Sequence, residues 1–264
     1  MSFTRLQKLI NEKNCRIVVG LDPRPNMLRV GETLFSWGKR IIDAVAEIVP
    51  AVKPQAAFYE AAGIAGITAL SETVQYAKQR GLYVIMDAKR GDIGSTAEAY
   101  AEAYLGIGEL GCDCVTVNPY LGSDGIKPFL VQAESNDGAL FALVKTSNPS
   151  SGELQDVITD SGKPVYIRTA SMLGALDASG ERIGFVVGAT YPEQLAELRA
   201  MFPKSFFLVP GYGAQGGTAA SVAAAFSADG SLAIVNSSRG IITADDPRAA
   251  AVAARDDINS VICK

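Results

Sequence analysis

Short runs rich in Val, Ile and Leu alternate along the chain with longer segments that have the apolar spacing of helices. Continuous apolar runs are typical of strands that are buried on both faces of a parallel sheet. Eight strands are predicted, at 16–21, 51–53, 82–87, 114–117, 140–146, 183–189, 206–211 and 232–238. Helices are predicted at about 33–49, 59–79, 95–109, 123–134, 165–178, 192–201, 217–226 and 247–262.

Three of the predicted helices have recognisable start signals. In "STAE", Ser95 is the predicted cap and Glu98 completes a capping box, and "TYPE" at 190–193 repeats this pattern with its proline in the first turn. In "DDP", Asp246 is the predicted cap and Pro247 the first helical residue. These signals support the helix boundaries that the apolar spacing indicates.

Eight strand–helix units in a chain of 264 residues predict an α/β fold, a (β/α)₈ TIM barrel built as a single domain over 1–264. A doubly wound sheet is the alternative. No Ser/Gly-rich linker divides the chain, and the least regular part is the long polar segment 146–164. A loop of this length after a barrel strand is often an active-site element.

The composition of the chain excludes several classes of function and of catalytic site. The net charge is −4 and the pI about 5.0, which disfavours a nucleic-acid-binding surface. The chain has no histidine, so a Ser-His-Asp triad, a Cys-His pair and histidine metal ligation are excluded. Cys112 and Cys114 form a C-x-C pair that matches neither a redox nor a zinc motif. Without a signal-peptide pattern or an 18-residue apolar run, we expect a reduced cytoplasmic protein that has no membrane segment.

The segment "MDAKRGDIGST" places four charges directly after a buried strand. Catalytic groups of barrels gather at the carboxyl ends of the strands. Alternation along the strand puts Asp87 and Lys89 on the inner side and Arg90 on the other face. Gly91 is expected to bend the chain and to direct Asp92 elsewhere. Charge pattern alone favours a solvated run or a structural ion pair, whereas the position favours a site.

A lysine between carboxylates remains cationic and can donate a proton. A substrate carboxylate bound beside these acidic groups would be repelled by about 4 kcal/mol per close charge at an effective dielectric constant near 20. Decarboxylation would relieve that repulsion, and the lysine could then protonate the resulting carbanion. A decarboxylation followed by proton transfer is therefore one chemistry that the charged strand end could support.

Two segments after the last strands suit an anion. In "VPGYGAQGG", the glycines Gly211, Gly213 and Gly216 spell G-x-G-x-x-G, but a dinucleotide-binding domain cannot start so near the chain end. A phosphate-binding loop is the better interpretation, with a flexible turn as the alternative. "NSSRG" supplies Arg239, which either holds the phosphate or pairs with an acid at the rim.

Further polar groups follow other strands. Asp22 ends the first predicted strand and Lys53 the second, so that Asp and Lys alternate around the barrel mouth. An aspartate there could bind sugar hydroxyls. "KTSNP" adds Thr146, Ser147 and Asn148, which could bind the amide and carbonyl edges of a pyrimidine. An Asn-Pro turn with solvated hydroxyls is an equally good interpretation of that segment.

Taken together, these segments resemble the orotidine 5′-phosphate decarboxylase family. "DAKRGDIGST" resembles its D-x-K-x-x-D-I-x-x-T signature, and "VGLDP", "VKPQAAFYE", "TSNP", "PGYGAQGG" and "NSSRG" resemble its other segments, in order, over about residues 16–242. The resemblance implies a (β/α)₈ barrel and a homodimer with active sites at the interface. It also implies conversion of orotidine 5′-monophosphate to UMP and CO₂ without metal or cofactor.

The resemblance also implies roles for individual residues. Lys89 donates the proton to C6, Asp87 lies beside the departing carboxylate, and Lys53 completes the charged array. Asp92 and Thr96 reach into the neighbouring subunit's site.

The remaining roles concern the sugar, the base and the phosphate. Asp22 holds the ribose and Ser147 contacts the pyrimidine. Gln215 and Arg239 bind the phosphate, together with the loop glycines at 213 and 216. Asn118 stands where related sequences have a histidine, and no role is assigned to it.

Other functions stay open at this point. A magnesium-dependent sugar-phosphate decarboxylase or synthase shares D-x-K-x-x-D, although "VKP", "TSNP" and "AQGG" argue against it. Schiff-base chemistry through Lys89 is a second possibility, and a non-catalytic nucleotide-binding barrel is a third.

Overall fold

Eight parallel strands form a closed barrel in the computed structural model, which describes residues 2–213 and 216–262. Each strand pairs with the next one along the chain, and β8 pairs with β1. The strands are β1 (Ile17–Leu21), β2 (Ala51–Pro54), β3 (Tyr83–Arg90), β4 (Cys114–Val117), β5 (Ala139–Lys145), β6 (Ile183–Val187), β7 (Phe207–Val209) and β8 (Ala233–Ser237). The predicted barrel is confirmed, and the doubly wound alternative is wrong because the sheet closes.

Helices surround the barrel and connect its strands. They are α1 (Ser2–Lys13), α2 (Leu34–Val45), α3 (Ala56–Glu60), α4 (Gly63–Gln79), α5 (Gly94–Leu105), α6 (Ser123–Ser135), α7 (Gly152–Gln155), α8 (Val165–Leu176), α9 (Pro192–Met201), α10 (Ala219–Val222), α11 (Arg239–Ile242) and α12 (Pro247–Ile262). The predicted helix at 59–79 is interrupted at Gly63, which has a φ of 66° and begins α4. No helix in the described part of the chain is long and apolar enough to cross a membrane.

Helix α1 was not among the predicted elements, yet it closes the bottom of the barrel. Its side chains Phe3, Leu6 and Ile10 are buried with inward-facing residues of the strands. The ring of Phe3 lies 4.9 Å from that of Phe141 and 5.0 Å from that of Phe206. Because the bottom is filled with apolar side chains, a polar cavity can form only towards the opposite end.

Two of the three predicted helix caps are wrong. Helix α5 begins at Gly94, so Ser95 lies inside its first turn, and Ile93 precedes the helix without a side-chain cap. For the second predicted capping box, "TYPE", the residue before α9 is Tyr191, which also forms no side-chain cap. Its Pro192 is in the first turn, as predicted. The third cap is confirmed, because Oδ1 of Asp246 accepts a hydrogen bond of 3.0 Å from the amide of Ala249.

Candidate active site

A cavity of about 640 Å³ opens at the carboxyl ends of the strands. Its volume lies within the roughly 300–1,000 Å³ that small-molecule sites occupy. It brings together six of the residues predicted for the site: Asp22, Lys53, Asp87, Lys89, Ser147 and Arg239. The sequence therefore identified residues that are up to 217 positions apart but share one cavity.

Asp87 is the centre of a buried array on one side of this cavity. Its Oδ2 accepts hydrogen bonds from Nζ of Lys53 at 2.6 Å and from Nε2 of Gln55 at 3.0 Å. Its Oδ1 accepts from Nζ of Lys89 at 2.5 Å and from Oγ1 of Thr116 at 3.0 Å. The side chains of Asp87 and Lys53 are less than one-tenth exposed, whereas that of Lys89 is 45% exposed. Lys89 is thus the cation of the array that is open to a ligand.

The charged groups of the array shift one another's pKa values. Burial by itself would raise the pKa of Asp87, but the ammonium groups of Lys53 and Lys89 outweigh it and hold that pKa well below its usual range. Burial by itself would lower the pKa of Lys53, but the carboxylates of Asp87 and Asp22 outweigh it and raise that pKa. Both members of the buried pair are therefore ionised at neutral pH.

An irregularity at the end of β3 directs these side chains. Pairing between β3 and β4 shifts between Met86 and Arg90, and Lys89 has a left-handed φ of 49°. Oγ1 of Thr116 accepts from the amides of Ala88 and Lys89, at 3.0 and 2.9 Å. Thr116 thereby satisfies backbone groups that regular pairing would otherwise bind.

Strand β3 ends at Arg90, directly before Gly91, and the residue with a left-handed φ at this end of the strand is Lys89. A Cβ on Gly91 would lie 3.0 Å from the carbonyl oxygen of Asn118. The glycine therefore permits close packing where the chain leaves the strand. The side chain of Asn118 accepts a hydrogen bond of 3.0 Å from the amide of Tyr120 and so stabilises a turn.

Arg90 faces away from the cavity, as alternation predicted. It forms an ion pair with Glu60, and its guanidinium lies over the rings of Tyr100 and Tyr104, at 5.4 and 5.7 Å from their centres. These contacts anchor the end of β3 to the surrounding helices. Arg90 is therefore a structural neighbour of the array.

Asp92 and Thr96 do not line the cavity of their own chain. Oδ1 of Asp92 accepts from the following amide, that of Ile93, at 2.9 Å, and Thr96 is exposed in the first turn of α5. The structure thus separates these two residues from Asp87 and Lys89, which precede them on β3.

The opposite side of the cavity is built from loops. Ser147 lies against Gly188, where a Cβ would come within 2.8 Å of the serine Cβ. Gln155, which was not predicted, also lines the cavity: its Oε1 accepts from the amide of Thr146 at 2.9 Å and its Nε2 donates to Oγ1 of Thr146 at 2.8 Å. The segment 146–164 therefore folds back over its own start.

Arg239 and the glycine-rich loop lie at the end formed by β7 and β8. Positive φ angles of 100°, 70° and 90° at Gly211, Gly213 and Gly216 account for these glycines in the motif. Gly211 lines the cavity, but Gly213 and Gly216 are not among its lining residues. The predicted phosphate ligand Gln215 lies outside the described residues.

Two residues that line the cavity each have a buried acceptor without a hydrogen-bond partner among the described residues: Oδ1 of Asp22 and Oδ1 of Asn236. Buried polar atoms are normally satisfied, so unpaired ones in a cavity indicate a polar ligand. Asn236 was missed because nothing in "NSSRG" separates it from a turn residue. Gln55 could have been predicted from the sequence, since it lies two positions after Lys53.

A closed barrel with a charged cavity at its carboxyl end is the arrangement of a (β/α)₈-barrel enzyme. The family model described as "Orotidine 5'-phosphate decarboxylase / HUMPS family" matches residues 16–254, and the chain belongs to this family.

Relatives and solved structures agree with that membership. The chain is 48% identical to the orotidine 5′-phosphate decarboxylase of Rhodopirellula baltica, over 96% of this chain and 92% of that protein. It is 44% identical to that of Roseiflexus castenholzii, over 98% of both. The solved OMP decarboxylase of Leishmania donovani is 38% identical, with a TM-score of 0.86 over 98% of this chain and 99% of that one. The putative orotidine-monophosphate-decarboxylase of Toxoplasma gondii is 34% identical, with a TM-score of 0.91 over 99% of this chain and 96% of that one.

Proposed function

We propose that this protein is a carboxy-lyase that converts orotidine 5′-monophosphate to UMP and CO₂ in pyrimidine biosynthesis. The observation that carries the proposal is the ionised Asp87, held between Lys53 and Lys89 at the floor of the cavity. Family membership supplies the substrate, because the relatives are named for this decarboxylation.

The array accounts for the chemistry. A substrate carboxylate seated beside Asp87 is repelled by it, by about 4 kcal/mol at an effective dielectric constant near 20. Loss of CO₂ removes this repulsion and leaves an electron pair on C6, to which the ammonium of Lys89 transfers its proton. Binding energy from the distant phosphate offsets the cost of placing the two carboxylates together.

The same array argues against magnesium at Asp87. Both oxygens of this carboxylate already accept two hydrogen bonds each, from two ammonium groups, one amide and one hydroxyl. A cation bound to Asp87 would have to displace these donors and lie beside two ammonium charges. The reaction we propose uses neither metal nor cofactor.

Other residues bind the rest of the nucleotide. Asp22 accepts from the ribose hydroxyls, which would satisfy its unpaired buried oxygen. Ser147 contacts the pyrimidine. Arg239 binds the phosphate together with Gln215 and the backbone of the loop that contains Gly213 and Gly216.

The active enzyme is a homodimer in which Asp92 and Thr96 complete the partner's site. Apolar side chains beside them support an interface here: Ile93, Tyr120 and Leu121 are 52%, 75% and 46% exposed. The two segments adjoin, since a Cβ on Gly125 would lie 3.0 Å from the carbonyl oxygen of Asp92. We further propose that residues 1–264 form one domain and that the protein works in the cytoplasm.

An ultraviolet assay with orotidine 5′-monophosphate, with and without EDTA, tests the function. We expect turnover at the same rate in both. Activity on a ketose phosphate that EDTA abolishes, without turnover of orotidine 5′-monophosphate, would assign the chain to the magnesium-dependent synthases. Binding of UMP without any change of substrate absorbance would make it a non-catalytic barrel. Borohydride trapping of Lys89 with a keto substrate would indicate Schiff-base chemistry.

A further inference from the structure

Lys145, the last residue of β5, is a buried cation that the proposed mechanism does not use. Its side chain is fully buried and it does not line the cavity. Its Nζ lies 2.6 Å from Oδ1 of Asp156 and 3.3 Å from Oγ of Ser151. The ammonium also lies 4.5 Å from the centre of the Tyr191 ring, within cation–π range. An ammonium without water needs such partners, because an unpaired buried charge is costly.

The local backbone explains why this lysine points away from the cavity. Leu143, two residues earlier, lines the cavity, so regular alternation would direct Lys145 there as well. However, pairing between β5 and β6 shifts between these two residues. The shift turns Lys145 beneath the segment 146–164, while its carbonyl accepts from the amide of Gly188 at 2.8 Å.

The partners of Lys145 lie at the two ends of one short helix. Ser151 immediately precedes α7 and Asp156 immediately follows it, so one ammonium holds both ends. Ser151 is linked in turn to the hydroxyl of Tyr191 by a hydrogen bond of 3.0 Å. We call Lys145, Ser151, Asp156 and Tyr191 the loop clamp.

The loop clamp determines the position of side chains that face the ligand. Gln155, the last residue of α7, adjoins Asp156 and forms two hydrogen bonds with Thr146. Thr146, Ser147 and Gln155 all line the cavity. A displacement of α7 would therefore move the polar groups on this side of the cavity.

We propose that Lys145 is a positioning residue that, through Asp156, orients Ser147 and Gln155 against the pyrimidine ring of the substrate. The inference rests on the proposed function, because that function supplies the pyrimidine. It assigns a role to the segment 146–164 and adds Gln155 to the groups that contact the base. The phosphate end of the cavity does not depend on the clamp.

The decisive variant is Asp156→Asn. The side chain of Asp156 is 48% exposed, so the change removes the charge partner of Lys145 without removing a packed core side chain. Asp160→Asn is the matched control, since this exposed carboxylate of the same segment makes no side-chain hydrogen bond to any described residue. Lys145→Met and Lys145→Arg change the other member of the ion pair. Only Lys145→Arg, which keeps the positive charge, is expected to retain part of the wild-type kcat/KM.

The measurements are kcat/KM for orotidine 5′-monophosphate and the affinities for UMP and for ribose 5-phosphate, which lacks the base. We expect Asp156→Asn to lower kcat/KM roughly 10- to 100-fold, the size of effect that a small misplacement of binding groups produces. UMP affinity should fall while ribose 5-phosphate affinity stays within about twofold, and Asp160→Asn should behave like the wild type.

A purely structural lysine would give a different result. Equal losses of affinity for UMP and ribose 5-phosphate, or wild-type kcat/KM in Asp156→Asn, would overturn the inference. Hydrogen exchange separates this result from failure of the proposed function, because it needs no turnover. The clamp predicts that exchange of the Thr146 amide accelerates in Asp156→Asn by more than exchange in the strands does, even if the wild type does not decarboxylate orotidine 5′-monophosphate.

Discussion

Lys53, Asp87 and Lys89 are carried by strands on one side of the cavity, whereas Ser147, Gln155 and Arg239 on the other side lie in a loop or in short helices. On the strand side, the charged groups contact one another directly, at 2.5 and 2.6 Å. On the loop side, Gln155 bonds to Thr146 within its own segment.

This difference has a physical meaning. Groups held by a closed barrel keep their geometry before the substrate arrives, which is what electrostatic catalysis requires. Groups held by loops can adjust around a ligand, at the cost of ordering the loop. We therefore expect changes on the strand side to reduce kcat and changes on the loop side to reduce substrate binding.

The largest effect is expected for Lys89→Ala. Loss of the proton donor should lower kcat by roughly 10²- to 10⁴-fold, the usual contribution of a general acid. UMP affinity should change far less, because the product needs no proton. Steady-state kinetics and calorimetric titration with UMP check this, with Lys8→Ala in helix α1, at the closed end of the barrel, as the control. Near-wild-type turnover of Lys89→Ala would show that another group supplies the proton.

Subunit mixing tests whether the site that contains Lys89 is completed by Asp92 of the neighbouring subunit. Asp92→Ala should be inactive alone, as should Lys89→Ala, but after subunit exchange each mixed dimer has one intact site. An equal mixture should recover about a quarter of the wild-type activity if pairing in the two-fold dimer is random. Exchange confirmed by mass spectrometry without any recovery would contradict a role of Asp92 across the interface.

Arg239→Ala tests the loop side. Because hydrogen bonds to charged groups contribute about 1.5–3 kcal/mol, affinity for UMP should fall roughly 10- to 100-fold. Affinity for uridine, which has no phosphate, should not change. A titration with each ligand separates these outcomes, and an equal loss for both would place Arg239 away from the phosphate.

The last prediction concerns stability and its dependence on pH, not catalysis. The pKa of Asp87 is lower in the folded protein than its value of about 4 in an unfolded chain, so its ionisation favours folding. This stabilisation is complete above about pH 5 and is lost progressively as the pH falls. Asp87→Asn should lower the free energy of unfolding at pH 7 by about 3 kcal/mol, since it leaves Lys53 buried without its charge partner.

Urea unfolding between pH 7 and pH 3 checks this expectation. The difference between wild type and Asp87→Asn should shrink below about pH 4, where the wild-type carboxylate begins to lose its advantage. Asp160→Asn, whose carboxylate is exposed, should show no such trend. A difference that stays constant down to pH 3 would mean that Asp87 is not stabilised by its ionisation.

The same contrast explains what the sequence could predict. Strand order and the inward direction of Asp87 and Lys89 follow from local patterns, namely apolar runs and alternation along a strand. Thr116 could not be found in this way, because its role depends on a pairing shift between β3 and β4. The position of Lys145 could not be predicted for the same reason, since alternation would direct it towards the cavity whereas the pairing of β5 with β6 shifts there.

Other errors arose at the ends of elements. Ser95 has the sequence context of a cap, but α5 begins one residue earlier, at Gly94. Helix α1 was overlooked although Phe3, Leu6 and Ile10 have helical spacing, because it lies outside the repeating strand–helix units. Local sequence thus predicts which segments reach the cavity on both sides, but not residues such as Thr116 and Gln155, whose positions depend on contacts between separate segments.

The most direct test of the central claim is decarboxylation of orotidine 5′-monophosphate in D₂O containing EDTA. The side chain of Lys89 is 45% exposed, so its ammonium exchanges protons with solvent and should deliver a deuteron to C6. We predict one deuterium at C6 of each UMP formed, one CO₂ released per UMP, and a rate that EDTA does not change. No turnover, or turnover that EDTA abolishes, would contradict the account.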